Sequence, residues 1–599
     1  MSLPRPLRAC LADLRRRLSV AVLAIVLAAC GGPSTDDAST AAPDVRRENL
    51  LRIPRAASEY VPAVQLLYVG LFGRPAEPAA IARWTPALAS SGAAPDALSL
   101  GALYPLNAVV RAVTDAIGGG DEAKTLLGGD PSAAVASIYR NLLGRAPTAS
   151  ELAARLQTLT REPSTLAQAV LAVGATAAGA DARVLASRLE VAARFTAGLS
   201  TDAKRLAYSG DGVYAHARNM LGRVGADADA AVEAAALVDD LDYPLVGPGE
   251  LRAAVPLATV RAADVAAAIA AAGVAVPFAP AYDVVAVRIE YLTSDADGQP
   301  IVASGLVAVP AKPAGRRSPV LGWSHGTIFH DAEAPTNHVT PDELGVAFAS
   351  LGFVVLAPDF VGYGASKGAA HPYLLADPTA AAGVDFLSAA RTWRRRNGVA
   401  DNGQLFLSGY SEGGYAAMAA HRRLTSSGSP HLRQLLAAIT GSGPYDVMST
   451  CDGVLDRVRD EQPLLAALIT PGLLRFLGAS VRERVRDTML KYLLPGDADV
   501  RIDTRFIDRY LADDEDLIAQ QHDVHEWKPE RPVRLFHGRA DQTVAYKVSV
   551  STLEAMRDRG VGNLVTLTDC TAQPAGHLEC VPQYLGFLLT QLAGLARDL

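Results

Sequence analysis

Two stretches of the chain place a serine between glycines in the G-x-S-x-G pattern of a nucleophile elbow: GWSHG at 322–326 and GYSEGG at 409–414. An elbow needs a strand directly before its serine and a helix directly after it, so that the hydroxyl stands above the sheet. Ser411 has both, because QLFLSG precedes it and GGYAAMAAHRRL follows it. Ser324 is followed by a polar loop without helical periodicity. We therefore predict that Ser411 is a nucleophile and that Ser324 is a chance match.

A serine hydroxyl needs a general base, and the base needs an orienting carboxylate. α/β-Hydrolases supply these from loops after later strands, in the order serine, acid, histidine. Asp541 follows the apolar run PVRLF, and His577 follows NLVTLT, so the order fits. Three rival histidines precede Asp541 in the chain and so violate this order: His522, His525 and His537. Four rival acids lie in a charged segment typical of a solvated surface: Asp513, Asp514, Asp516 and Asp523. We predict the triad Ser411, Asp541 and His577.

Backbone amides near Ser411 are candidates for an oxyanion hole. The residue after the nucleophile supplies one amide, here Glu412, and the loop after an earlier strand supplies a second. That loop begins SHGT, so Thr327 or Gly326 is the candidate, and a glycine permits close backbone approach. The alternative for Gly326 is a tight turn without chemistry.

The elements that must position these residues begin near residue 283, where short β-rich runs alternate with helical segments. This alternation predicts an α/β domain with a mainly parallel sheet. A charged helical insert over 445–530 interrupts the strands and is a candidate cap above the nucleophile. We expect apolar residues of this insert to cover an acyl pocket, with these leucines as the contacts: Leu464, Leu465, Leu468, Leu473 and Leu474. The alternative is a cap helix that only packs on the body.

Residues 50–245 are rich in Ala, Leu and Arg and predict a set of helices. One phrase recurs at 65–78 and 136–149, with an aromatic residue five positions before a Gly-Arg pair, and a degraded copy stands at 216–229. We expect the glycine to end each helix. This segment resembles a helical domain of unknown function that recurs in secreted bacterial proteins, and Trp84 stands where that domain tends to carry a tryptophan. His216, the only histidine here, is expected to be packed or solvated.

The motifs YLTSDADGQPIVASGLVAVP, WSHGT, APDFVGYG, GYSEGG, HGRADQTV and AGHLE together resemble the secretory lipase-like branch of α/β-hydrolases. The resemblance covers residues 255–599 and implies an α/β-hydrolase fold with a helical cap, preceded here by an all-α domain. It also implies a carboxylic ester hydrolase (a serine esterase or lipase) with no metal or organic cofactor. Phe360 stands where related enzymes usually have tyrosine.

Two other functions remain open. Prolyl-oligopeptidase-like serine peptidases share these motifs, but they usually carry a β-propeller before the hydrolase domain, whereas this N-terminal half is helical. A surface-attached binding protein with a hydrolase scaffold is the second alternative, and the intact elbow, acid and base speak against it. The net charge is −7, with no basic block after the first twenty residues, which argues against a nucleic-acid partner.

The N-terminus predicts export. Several arginines precede a short apolar run that ends at Leu27-Ala28-Ala29-Cys30, which resembles the lipobox of bacterial lipoproteins. We predict a lipoprotein-type signal over 1–30, lipidation of Cys30 and a polar tether over 31–49; the alternative is an ordinary signal peptide. No later segment is long and apolar enough to cross a bilayer.

Beyond the signal, three cysteines allow three alternative single pairings. Cys570 with Cys580 closes the shortest loop, which also carries His577, and Cys451 is then left over.

Overall fold

The computed structural model describes residues 55–160, 165–273, 276–277, 279–313, 315–461, 474–493 and 496–599. Residues Arg55–Leu599 form one compact unit. The predicted signal, the tether and Cys30 lie outside the described residues, as do Leu464, Leu465, Leu468 and Leu473 of the predicted cap. No single described helix is long and apolar enough to cross a membrane; two helix pairs reach that length only together, and they are bent by 106° and 119°.

The N-terminal part is all-helical, as predicted. Its helices are α1 Val61–Phe72, α2 Pro78–Ser90, α3 Ala97–Leu103, α4 Ala108–Gly118, α5 Asp121–Leu127, α6 Pro131–Leu143, α7 Ala149–Leu159, α8 Leu166–Thr176, α9 Gly179–Gly198, α10 Asp202–Ala207, α11 Asp211–Gly222 and α12 Ala230–Asp240. They share one hydrophobic core that is separate from the cores around the sheet.

The recurring phrase ends two of these helices in the predicted way. Gly73 and Gly144 cap α1 and α6 with φ of 67° and 74°, a left-handed conformation that favours glycine. In the degraded copy, α11 ends without such a cap. Arg74, the arginine after Gly73, is buried, pairs with Glu122 at 2.6 Å and stacks on the ring of Tyr214.

A nine-stranded mixed sheet runs through the second part of the described chain. Its order is β1-β2-β3-β5-β4-β7-β8-β10-β11, antiparallel from β1 to β5 and parallel from there onward. The strands are β1 Leu251–Val260, β2 Val284–Ser294, β3 Pro300–Pro310, β4 Ser318–Ser324, β5 Val354–Pro358, β7 Asp401–Tyr410, β8 Leu435–Gly441, β10 Val533–His537 and β11 Val565–Asp569. The short strands β6 Ala370–His371 and β9 Arg501–Ile502 form a separate parallel pair.

Helices cover both faces of the sheet, which is the α/β-hydrolase architecture. They are α13 Ala262–Ala271, α14 Leu344–Ser350, α15 Ala376–Asn397, α16 Glu412–Ser426, α21 Lys547–Asp558 and α22 Val581–Leu595. The expected boundary at residue 255 falls inside β1, a strand that the sequence pattern did not predict. Most of β1 is exposed and Pro256 lies within it, so it lacks the alternation of a half-buried strand.

The predicted insert lies between β8 and β10. Its described helices are α17 Val447–Glu461, α18 Ala479–Leu493, α19 Arg505–Leu511 and α20 Glu515–Gln521. The insert was expected to be helical, but β9 also lies within it and pairs with β6 of the hydrolase body. A two-residue strand has too few residues to show an alternating pattern.

Candidate active site

Ser411 occupies the turn between β7 and α16 in a strained conformation, with φ 58° and ψ −125°. The flanking glycines make this turn possible. A side chain on Gly409 would collide with the backbone of Gly413, and a side chain on Gly413 would collide with the carbonyl of Ser324. A positive φ at a non-glycine residue persists only where the surroundings enforce it, and such strain is concentrated at active sites. The geometry is therefore that of a nucleophile elbow.

His577 and Asp541 complete a hydrogen-bonded chain with Ser411. His577 Nε2 lies 2.9 Å from Ser411 Oγ, and His577 Nδ1 lies 2.6 Å from Asp541 Oδ2. Asp541 follows β10 and His577 follows β11, so the parallel strands bring both loops to the edge that carries the elbow. Ser411 alone of the two candidate serines contacts this histidine within the described residues.

The Asp541 carboxylate is held ionised by its surroundings. Its Oδ1 accepts the amides of Thr543 and Val544 at 2.8 and 2.9 Å. Burial alone would raise the pKa of Asp541, but hydrogen bonds from His537 and His577 outweigh burial and hold that pKa well below its usual range. An ionised carboxylate at this place fixes the imidazole tautomer whose Nε2 accepts the serine proton.

Two supporting residues were missed at the sequence level. His537, excluded as a base by its order, lies fully buried at the end of β10, with Nε2 3.2 Å from Asp541 Oδ2. The position of His537, four residues before Asp541, was the sequence feature that could have indicated this contact. The Tyr410 hydroxyl donates to the backbone carbonyl of His577 at 2.6 Å and so supports the loop of the base. Nothing in the local sequence around Tyr410 indicates this contact, because His577 lies 167 residues away.

The three amides suggested for an oxyanion hole surround the elbow. Glu412 begins α16, and Gly326 lies against the turn, since a methyl group placed on it would be 3.4 Å from the Tyr410 carbonyl. Thr327 contacts the Tyr373 hydroxyl through its side chain at 3.4 Å. Within the described residues, no carbonyl or side chain accepts a hydrogen bond from the backbone amides of these three residues. Gly326 and Thr327 also line the cavity beside Ser411, so these amides stay candidates for the oxyanion hole.

Residues 330–465 match the family described as Secretory lipase. Over this stretch the chain is similar to the secretory lipases, and the second part of the chain has the α/β-hydrolase fold. The match includes Ser411 and ends before Asp541 and His577, so it carries no information on these two residues. Lipases are carboxylic ester hydrolases, and this is the enzyme class that the match supports.

Two solved structures are similar to the secretory-lipase-like hydrolase. The rice cell wall degrading esterase LipA from Xanthomonas oryzae has 23% identity and a TM-score of 0.46, covering 59% of this chain and all of its own. Candida antarctica lipase A has 15% identity and a TM-score of 0.39, covering 60% of this chain and 87% of its own. None of the curated proteins compared with the chain matches it.

A cavity of about 460 Å³ opens beside Ser411 and His577. The sheet side contributes Trp323, Leu344 and Leu585, and the cap contributes Met489 and Phe506. No lysine, arginine, aspartate or glutamate is found among the described residues that line it.

Leu474 was expected to contact the acyl pocket, but it does not line this cavity. It is buried in the core of the cap instead, because its turn packs against α19.

Cys570 and Cys580 form a disulfide that closes the loop carrying His577. Cys451, whose pairing the sequence left open, is a free, buried thiol that lines the cavity, and burial raises its pKa.

Elsewhere in the described chain, Asp446, Asp523 and His525 lie close enough to hold a metal ion. Both carboxylates already accept backbone amides, from Ser449 and Val447.

Proposed function

We propose that the chain is a serine esterase or lipase that cleaves carboxylic esters through an acyl-enzyme. The observation that carries this proposal is the continuous chain from Ser411 Oγ through His577 to Asp541, with hydrogen bonds of 2.9 and 2.6 Å. In both α/β-hydrolases and other serine hydrolases, this arrangement activates a hydroxyl for attack on an acyl carbon.

In the proposed mechanism, Ser411 Oγ attacks the ester carbonyl while His577 Nε2 takes its proton. The amides of Glu412 and of Gly326 or Thr327 stabilise the negative oxygen of the tetrahedral intermediate. His577 then returns the proton to the departing alcohol, which leaves an acyl group on Ser411. Water repeats the sequence, with His577 again as base, and releases the acid. Asp541 stabilises the imidazolium in both halves.

The cavity supports a neutral, apolar acyl group as the substrate part that lies beside Ser411. Its described lining carries no charged lysine, arginine or carboxylate side chain. Burying an unpaired charge there would cost several kcal/mol or more, whereas each buried methylene contributes about 0.8 kcal/mol. Esters of aliphatic acids therefore fit this site better than charged peptides.

The proposal is tested with purified protein, p-nitrophenyl esters from acetate to palmitate, peptide p-nitroanilides and an alkyl phosphonate. We expect ester turnover, little peptide cleavage and a phosphonate adduct on the tryptic peptide that contains Ser411. An adduct on another residue, or peptide cleavage faster than ester cleavage, would contradict the assignment.

We further propose two domains, helical over 50–245 and hydrolase over 255–599 with the cap at 445–530. The separate hydrophobic core of the helices supports this division. Limited proteolysis of the full chain should cut first between α12 and β1, near 245–250; a first cut inside either core would contradict it.

Export and lipid anchoring are also proposed. The Secretory lipase match supports export, and the sequence before Cys30 supports an anchor. Wild type made in a Gram-negative host should sediment with membranes and dissolve in detergent, because acyl chains partition into the bilayer. Cys30→Ser should not be lipidated. A wild-type protein with an unmodified mature N-terminus would remove the anchor.

A further inference from the structure

A buried histidine and a buried glutamate meet directly beneath the nucleophile elbow. His371 Nε2 lies 2.5 Å from Glu412 Oε1, and the two side chains are 1% and 3% exposed. The second carboxyl oxygen, Glu412 Oε2, is buried and has no hydrogen-bond partner in the described chain. The proposed mechanism uses the backbone amide of Glu412 but leaves both side chains unexplained.

The hydrogen bonds determine how many protons this pair holds. His371 Nδ1 lies 2.9 Å from the carbonyl of Val361, so it carries a hydrogen, because a carbonyl only accepts. The short contact between Nε2 and Oε1 then needs a second hydrogen, since two lone pairs would repel there. Whichever atom holds that proton, the pair as a whole is neutral. Loss of the proton would leave one uncompensated negative charge.

The pair also connects the elbow to the cap. Glu412 directly follows Ser411, and its amide is one of the proposed oxyanion donors. His371 lies in β6, which pairs with β9 of the cap, and its carbonyl accepts the amide of Asp503 at 2.8 Å. Gly362 permits the backbone of His371 to approach this closely, because a side chain at Gly362 would come within about 3.0 Å of it.

We propose that His371 is a positioning residue whose shared proton neutralises Glu412 and holds its amide in place for the oxyanion. This inference rests on the proposed function. A buried negative charge next to the nucleophile would repel the oxyanion that develops there, and in a site shielded from water such repulsion is strong. The proton on the His371–Glu412 pair is therefore required in the transition state.

The surroundings of His371 favour the protonated pair. Burial alone would lower the pKa of His371, but the Glu412 carboxylate and the Val361 carbonyl outweigh burial, so that its pKa is raised. Asp503 adds to this effect, and the aromatic rings of Phe360, Tyr363 and Tyr373 lie close to the imidazole. Because the pKa of His371 is raised, His371 should lose its proton on the alkaline side of the ordinary histidine range, and activity should fall there.

The test compares His371→Gln, Glu412→Gln and the double variant in the full-length protein, with kcat and KM measured on p-nitrophenyl butyrate across pH. His371→Gln leaves the carboxylate unneutralised and should lower kcat at least tenfold, with KM within about twofold. The double variant removes the charge and should recover much of that loss. Glu412→Gln is judged by its pH profile, which should lack the alkaline fall seen in wild type.

His421→Gln is the matched control, because His421 is also buried, lies on α16 and packs against Trp527 rather than the elbow. It should keep the wild-type pH profile. Recovery of kcat in the double variant supports the neutralisation of Glu412. A double variant with kcat no higher than that of His371→Gln would overturn the proposal, as would a wild-type pH profile in Glu412→Gln. If His371→Gln does not fold, the profile of Glu412→Gln still decides. Absence of ester turnover and phosphonate labelling in wild type would instead defeat the proposed function.

Discussion

Ser324 of β4 lies opposite Gly409 of β7, so the two G-x-S-x-G matches of the sequence stand side by side in the sheet. The carbonyl of Ser324 lies against Gly413, directly behind the turn that carries Ser411. The backbone of Ser324 thus packs against the strained turn at the elbow. The hydroxyl that contacts His577 is that of Ser411.

Ser411→Ala should lower kcat for esters by about four to six orders of magnitude, because the nucleophile is lost. Its thermal unfolding should remain close to wild type. Ser324→Ala keeps the backbone carbonyl that packs on Gly413 and should reduce kcat less than tenfold. Steady-state rates of both variants, with melting curves, check this. Equal losses in the two variants would mean that the choice between the serines is wrong.

Met489→Ala should shift preference toward longer acyl chains. Met489 lies on α18 of the cap and lines the cavity, so its truncation opens space beside Ser411. Val485, one turn earlier on the same helix, is equally buried but does not line the cavity. We expect the ratio of kcat/KM for palmitate over butyrate to rise several-fold in Met489→Ala. Val485→Ala should destabilise the protein without changing this ratio; the same shift in both variants would assign the effect to cap stability.

Replacing Cys570 and Cys580 together by serine should lower the free energy of unfolding by about 2.5 to 3 kcal/mol on the chain-entropy model, because the bridge closes a loop of about ten residues. The same loop carries His577, so kcat should fall as well. Denaturant unfolding measures the loss. Wild type under reducing conditions should match the double variant, and a reduced wild type as stable as the oxidised protein would contradict the estimate.

Asp240 joins the helical part to the hydrolase part. It is fully buried and accepts hydrogen bonds from Arg391 at 2.6 Å, Arg395 at 3.1 Å and His216 at 3.0 Å. His216, expected to be packed or solvated, is therefore packed. Asp240→Ala should cost about 3 to 5 kcal/mol at neutral pH, because it leaves Arg391 buried with less compensation. Asp239→Ala is the control, since Asp239 also pairs with Arg391 but is 46% exposed, and about 1 kcal/mol or less is expected.

The pH dependence of stability should depend on the carboxylate of Asp240 as well. Burial alone would raise the pKa of Asp240, but the hydrogen bond from His216 and the charges of Arg395 and Arg391 outweigh burial and lower that pKa to about 2. A carboxyl whose pKa is lower in the folded state stabilises the protein above the unfolded pKa of about 4. That contribution is lost as the pH falls from about 4 towards 2. Melting temperatures of Asp240→Asn should therefore decline less over this range than those of wild type; equal slopes would contradict the assignment.

The sequence by itself determined the local parts of the site. Steric limits at the elbow act within five residues, so GYSEGG between a strand and a helix specifies the turn at Ser411 without knowledge of distant contacts. The order of Asp541 and His577 after later strands likewise follows from how parallel strands place their loops at one edge.

Only the tertiary structure decided the contacts between distant segments. His371 lies 41 residues from Glu412, and Asp240 lies 151 residues from Arg391. Each is a charged or polar side chain that would be expected at the surface if it were judged from its neighbours in sequence. Burying such a side chain costs free energy unless a residue of another element pairs with it. Whether such a partner lies close depends on strand register and helix packing over the whole domain. The same reason left β1 unpredicted, since its place in the sheet comes from pairing with β2 and not from a buried face of its own.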